Sequence, residues 1–389
     1  MNKTTFINQV TRHIKPLPAI ADRVLYLARQ EPVDFKLLAQ VIENDAVLSA
    51  LVIRMANSPI YGLIRNRVET LDRAIVVLGQ QHILDSTGLY ITRILRQMTK
   101  NTWPKGDVNF WKHNIAVAIA ARMLAERMNV SHTQLCFFAG LIHDIGKIAL
   151  HTYDATAYRD VMAHAEQSST PLQAAELSAF GVNHATLSGV ISRKWFLPVT
   201  CMKAVAHHHN AADNITVTVA NIIRSANMLA KICGIGDSGN PYGLCDPRLL
   251  LPNPKFSEAD IFDILDVLPG LVDELCGSVL GIHGISPLPG YFKQNTPRPH
   301  IEVHTRRESD RLLLRYILYT LGYYHGNDTG ATQIVIMDYM PEHGFSNESI
   351  IDFNAWRSQQ PYTPHGELNI GSLRNWLITQ IDKAQPSYA

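Results

Sequence analysis

From Ala19 to Gly234 the apolar residues of this 389-residue chain recur with the period of an α-helix, and alternating strand patterns are almost absent. A chain patterned this way can bury its apolar stripes only by packing helix on helix. Short amphipathic helices are predicted over Ala19–Arg29, Asp34–Ile42 and Ala46–Met55. Another covers Thr70–Leu78 and stops at Gly79, and longer ones cover Asn109–Met128 and Thr133–His151. Thr170 with Pro171 reads as a helix start, and Asn183 as the cap of His184–Lys194. Pro198 opens a helix to His208, and Ile215–Cys233 closes at Gly234.

After Gly234 the texture changes. The stretch 234–260 is rich in turn formers, Ser257–Leu280 returns to helix on the same block, and 284–299 ("GISPLPGYFKQNTPRP") reads as a connection. Beyond it, "HIEVHT", a helix over Glu308–Tyr323, the apolar run "TQIVIMDYM" and a helix over Ser372–Ile381 suggest a small α/β unit. The expected fold class is therefore mainly α: an all-helical domain over residues 10–285, a linker at 286–298 and an α/β domain at 299–383.

Lys and Arg number 35 against 34 Asp and Glu, so no strong field points to nucleic acid or membrane. The five cysteines are scattered and form no CxxC pair, which excludes zinc-finger and disulfide scaffolds and favours a reducing compartment. The polar start lacks the apolar core of a secretory signal, and no run approaches the roughly 18 apolar residues of a membrane span. A cytoplasmic location is expected.

The chemistry concentrates in "FFAGLIHDIGKIAL", Phe137–Leu150. With helical spacing, Phe138, Leu141, Ile142, Ile145 and Ile148 cover most of the surface. Gly140, His143, Asp144 and Lys147 share the remaining strip, where Gly140 leaves space for an approaching ion. A carboxylate in such surroundings must meet a cation, since burying it alone costs several kcal/mol. Lys147 or a metal ion would serve. His113 precedes a long apolar face in "FWKHNIAVAIAARMLA", His184 opens the helix after Asn183, and "AVAHHHN" places His207, His208 and His209 at a helix end. Singly, each histidine reads as a satisfied core residue or a complement to a helix dipole, and Asp144 with Lys147 as an ion pair. Together, histidines and a carboxylate on successive helices suit iron, manganese, zinc or nickel.

"HDIGK" with an upstream histidine resembles the HD superfamily of metal-dependent phosphohydrolases. More narrowly, the chain resembles the HDOD family, a regulatory branch found in bacterial signalling proteins. The resemblance spreads over residues 14–280, through "KPLPAIADRVLYLA", "VIENDAVLSALVIRMANSPIYG", "VETLDRAIVVLGQQHI", "AGLIHDIGKIAL" and "GVNHATLSGVISRKWFLPVTCMKAVAHHH". It implies that His113, His143 and Asp144 ligate one metal and that His184, His208 and His209 complete a second. It further implies catalytic roles for Asp144 and for Lys147, near a substrate phosphate. Two departures stand out. Asn227, in "RSANML", occupies the place of a final ligating aspartate, and an amide oxygen is the poorer ligand. No GYP loop follows the histidine triplet, which argues against cyclic di-GMP hydrolysis.

In the carboxy-terminal unit "IVIMDYMP" resembles a response-regulator receiver, with Asp338 in the phosphorylated position. The acidic pair for magnesium and the later Lys-Pro pair are missing, so a degenerate receiver-like or unrelated docking domain is expected. The function indicated is a signalling module with an unnamed protein partner. The alternative is a phosphohydrolase acting on a phosphate-containing small molecule. Nucleic-acid binding by Asp34–Ile42 and Ala46–Met55 is disfavoured, because the second of these is too apolar to face a groove. Limited proteolysis is expected to cut first between Gly284 and Pro299; early cuts within Phe137–Leu150 would show the domain division to be wrong.

Overall fold

In a computed structural model of the chain, the residues described are 2–58, 61, 67–104, 106–130, 133–210, 218–240, 242–244, 257–281, 300–305, 308–321, 332–337, 349–359 and 367–384. The chain opens with α1 (Lys3–Arg12), α2 (Ala19–Leu27), α3 (Phe35–Glu43) and α4 (Ala46–Ala56). Next come α5 (Leu71–Thr99), α6 (Asp107–Arg127), α7 (Thr133–Ile142), α8 (Ile145–Tyr153) and α9 (Ala155–Gln167). The block continues with α10 (Leu172–Phe180), α11 (His184–Lys194), α12 (Val199–Ala206) and α13 (Val219–Ile232). A short β1 (Tyr242–Leu244) and α14 (Glu258–Leu275), which runs into a π-helical turn at Cys276–Leu280, lie beyond. Side chains of Asp34, Asp45, Asp154, Asn183, Thr218 and Ser257 accept bonds from the first free N–H groups of their helices, so polar residues mark the starts. Thr170 does not act this way. α10 begins at Leu172 with no side-chain cap, and Thr170 instead receives a hydrogen bond from the Ser168 hydroxyl.

α6 is the axis of the block. Every residue from Phe110 to Ala125 is buried, and α5, α7, α13 and α14 pack around it. Its alanines allow close approach. A Cβ placed on Gly140 of α7 would lie 2.6 Å from the Ala118 Cα, so Gly140 is needed where α7 crosses α6. Its smallness serves helix packing and not, as the sequence suggested, room for an ion.

Two breaks depart from simple periodicity. The helix expected over Thr133–His151 is two helices, with His143 and Asp144 at the turn between them. His143 Nδ1 bonds the Gly140 carbonyl at 2.8 Å, taking an acceptor of the last turn of α7. The Lys147 N–H bonds the Asp144 carbonyl at 2.9 Å, so the chain restarts with a tight i→i+3 turn. The second break is Gly79, at φ 67° and ψ 177°, a conformation essentially reserved for glycine. It ends the first part of α5 as expected, yet a second helical length to Thr99 follows at once. Buried Asp85, Ser86, Thr87 and Thr92 interrupt its apolar pattern. Asp85 is paired with Arg122 at 3.0 Å, and Ser86 and Thr87 bond back to the carbonyls of His82 and Ile83.

The carboxy-terminal residues form β2 (His300–His304), α15 (Glu308–Thr320), β3 (Thr332–Met337), β4 (Ser349–Asp352), α16 (Phe353–Arg357), β5 (Glu367–Asn369) and α17 (Ile370–Ala384). β3 lies between β2 and β4, all parallel, while β5 pairs antiparallel with β1. The α/β character matches the sequence expectation. Asp338 and the connection at 286–298 lie outside the described residues. α15 and α17 meet the end of α13, where Arg374 Nη1 donates to the Ile232 carbonyl at 2.9 Å and to Thr320 Oγ1 at 2.8 Å. The guanidinium thereby satisfies a carbonyl that the helix leaves open. Cys136, Cys201, Cys233 and Cys276 are buried and unbonded; Cys245 is outside the described residues. Among the described residues no helix is long and apolar enough to cross a membrane.

Gly140→Ala is expected to destabilise the helical block by about 1–3 kcal/mol, since the methyl meets backbone that cannot rotate away. Chemical denaturation would check it; an unchanged midpoint would mean that the crossing is looser than its geometry indicates.

Candidate metal centre

The break between α7 and α8 turns His143 and Asp144 inward together. Asp144 is 1% exposed and His143 fully buried. Lys147 Nζ donates to Asp144 Oδ2 at 2.7 Å and also to the carbonyl and hydroxyl oxygens of Ser238 at 3.1 and 3.0 Å. The ion pair that the sequence offered as one alternative is therefore present, and all three ammonium hydrogens are engaged. It uses only one side of the carboxylate. Asp144 Oδ1 has no hydrogen-bond donor and sits 3.3 Å from His184 Nε2 and 3.6 Å from His208 Nε2. His143 Nε2 is 3.3 Å from Oδ2.

The other ring nitrogens decide what these contacts are. His143 Nδ1 faces the Gly140 carbonyl, and His208 Nδ1 faces the Val205 carbonyl at 2.7 Å. A carbonyl can only accept, so each Nδ1 carries a hydrogen, and in the neutral ring Nε2 presents a lone pair. His184 Nδ1 is likewise bonded to Glu176 Oε2 at 2.6 Å, and its Nε2 lies 3.0 Å from His209 Nε2. His113 Nε2, His143 Nε2, His208 Nε2, Asp144 Oδ1 and Asn227 Oδ1 are all buried without a partner. Buried polar atoms without partners forfeit their hydration, and His143 Nε2, His208 Nε2 and Asp144 Oδ1 do so side by side.

Two overlapping groups emerge: His113, His143 and Asp144, and Asp144, His184, His208 and His209. Within each, one ligand atom per residue lies within 4.8 Å of the others. Asp144 belongs to both. Ligand atoms about 2.0–2.2 Å from a common ion sit roughly 3.0–3.5 Å apart, close to the separations found here. The residues therefore fit a divalent cation, and the open carboxylate oxygen between imidazoles is the feature that fits it best.

Local sequence explains the assembly. His184 is the first residue of α11, and His207–His209 follow the end of α12, which stops at Ala206 and does not reach His208. Leaving the helix lets His208 and His209 both turn toward Asp144, while His207 is exposed. Gly146 allows α8 to lie on the start of α11, since a Cβ there would meet the His184 carbonyl at 2.0 Å. Gly236, at φ 66°, makes the same kind of approach to the backbone of His113.

Burial holds His208 down to about 3, and it lowers His113 and His209 well below the usual imidazole range; His143 adds to the effect on His113, and His208 to that on His209. Burial would raise Asp144, but His143 and Lys147 override it and keep the carboxyl well below the usual range. Neutral His113, His208 and His209 beside an ionised Asp144 match the protonation state that a metal requires.

Sequence reasoning missed Glu176. It is fully buried on α10, accepts from the His184 N–H and ring at 2.8 and 2.6 Å, and from the Tyr158 hydroxyl at 2.8 Å. Carboxylates behind a ligating histidine orient the ring and raise its basicity. The available signal was a lone acid among small and apolar residues, eight positions before His184. Ser238, which holds Lys147, lay in a stretch read only as loop.

A family model described as "HDOD domain" matches residues 14–211. The chain belongs to the HDOD family. Solved structures share its fold at low identity. A Geobacter sulfurreducens HDOD domain protein of unknown function superposes with a TM-score of 0.59 at 19% identity, covering 71% of this chain and 98% of that one. A "Putative signal transduction protein" from Marinobacter aquaeolei VT8 gives 0.56 at 22%, covering 68% and 59%. A "Putative phosphohydrolase" from Shewanella amazonensis SB2B gives 0.52 at 19%, covering 71% and 96%. No curated protein matches the chain.

The buried imidazoles make acid stability predictable. In the folded HDOD domain His208 resists protonation until about pH 3, whereas unfolded it titrates near 6.5. The unfolded state thus binds more protons between these values, and stability falls as pH drops below about 6.5. His113 and His209 act in the same direction. Thermal melts should show Tm declining from pH 7.5 to 5; a flat profile would mean that the imidazoles are already charged in the fold.

Proposed function

We propose that this HDOD protein is a signal-transduction component whose helical domain holds a divalent metal ion in the His113–His143–Asp144–His184–His208–His209 cluster and relays a conformational signal to a protein partner. The observation that carries the metal is the convergence on Asp144 of buried imidazoles, with Asp144 Oδ1, His143 Nε2 and His208 Nε2 left without hydrogen-bond partners. Iron and manganese suit mixed imidazole and carboxylate donors, and zinc and nickel are compatible. Asn227 would supply at most a neutral oxygen, which weakens any ion held on the His113 side. Regulation is favoured over turnover by that amide and by Lys147, whose hydrogens are spent on Asp144 and Ser238.

The retained histidines support a second reading, metal-dependent hydrolysis of a phosphate ester. There a bound ion would activate a water and polarise the phosphoryl oxygen. This chain's part would be to orient the imidazoles, with Nδ1 hydrogens held by Gly140, Val205 and Glu176, and to keep Asp144 ionised through Lys147.

Elemental analysis of protein purified without chelator is expected to find one of these metals, and His143→Ala with His208→Ala to abolish it. Asp144 is better left in place, because removing it strands the buried Lys147 charge at a cost of about 3–5 kcal/mol. Asn227→Asp should bind metal more tightly. Wild-type hydrolysis of bis-p-nitrophenyl phosphate should be negligible. Metal-free wild-type protein would sink the metal assignment, and turnover lost in His143→Ala would move the function to phosphohydrolase.

A further inference from the structure

A cleft of about 960 Å³ borders the histidine cluster, with His113 and Ser238 among its lining residues. Its other walls include residues 101–104 with Gly106 and Asn109, α9, the end of α13, residues 234–240 and α17 of the carboxy-terminal unit. Two buried side chains on these walls have unsatisfied polar atoms of opposite character. Arg374 is 6% exposed; its Nη1 is used on Ile232 and Thr320, while its Nη2 has no partner. Asn240 is 3% exposed; its Nδ2 donates to Gln173 at 3.0 Å, while its Oδ1 has no partner. A buried N–H of a cation and a buried amide oxygen each lose the equivalent of a hydrogen bond unless something in the cleft supplies it.

The required partner is an anion for Arg374 together with a hydroxyl or amino donor for Asn240. Charge agrees: Arg159, Lys231 and Arg374 line the cleft against Glu166 and Asp237, three cations to two carboxylates. Trp103 and Met162 add apolar surface, and the volume is at the upper end of the roughly 300–1,000 Å³ usual for small-molecule pockets. We propose that the cleft binds a mononucleotide, its phosphate toward Arg374 and Lys231 and a hydroxyl or amino group on Asn240. Lys231, Asn240 and Arg374 all lie beyond residue 211, whereas the opposite wall, with Trp103, His113 and Arg159, lies within the residues that match the family. Because Arg374 belongs to α17 and Lys231 to α13, the ligand would hold the carboxy-terminal unit against the helical block. The site needs no ion, which separates its fate from that of the metal assignment.

Titration calorimetry on the full chain with AMP and GMP tests the proposal, with inorganic phosphate as comparison. Saturable binding of at least one nucleotide is expected below about 1 mM, weakened about tenfold by Lys231→Gln and by Arg374→Gln. Glutamine can still donate to the Ile232 carbonyl; should Arg374→Gln nevertheless fail to fold, Arg159→Glu reverses an exposed charge on the same wall and is expected to weaken binding in its place. The His143→Ala, His208→Ala protein should bind the nucleotide as the wild type does. Absence of saturable binding up to about 5 mM, affinity untouched by these cleft variants, inorganic phosphate binding as tightly as the nucleotide, or loss of binding in the histidine variant would each overturn the proposal.

Discussion

A carboxylate buried in an apolar core has to be neutralised, and the placement of Asp144 organises much of this molecule. Lys147 meets one oxygen and is itself held by Ser238, which ties residues after α13 to the start of α8. The other oxygen is left to imidazoles from α11 and from the end of α12, with His143 beside it and His113 coming from α6. One charge therefore sets demands on five segments. An ion pair and a metal site are not competing answers here, because a carboxylate has two oxygens and this fold treats them differently.

Close helix crossings make the convergence possible. Gly140, Gly146 and Gly236 each stand where a methyl would strike the backbone of another element. Two of these contacts are with His113 or His184 itself, so backbone approach and ligand placement are the same event. The histidine tautomers follow from equally local causes. Val205 and Gly140 present carbonyls that only accept, and Glu176 presents a carboxylate, so all three rings hold Nδ1 outward and turn Nε2 inward.

The carboxy-terminal unit bears on this centre through the end of α13. Arg374 closes the Ile232 carbonyl there and also lines the cleft beside His113. A change in how α17 sits would alter a wall of that cleft, while a change at the histidines would act on α6 and α13.

Helical architecture was legible in the chain because each helix declares its own face and its own cap; Asp34, Asp45 and Asn183 act as their positions predict. The site histidines and Asp144 were legible too, since polar groups on apolar stripes stand out. Other features depended on contacts between distant residues. The break at His143, the second half of α5 with its buried Asp85–Arg122 pair, Glu176 behind His184 and Ser238 beneath Lys147 leave no periodic trace. Local sequence decides which groups must be hidden from water; only tertiary packing decides which partner, across 8 or 91 positions of chain, each hidden group finds.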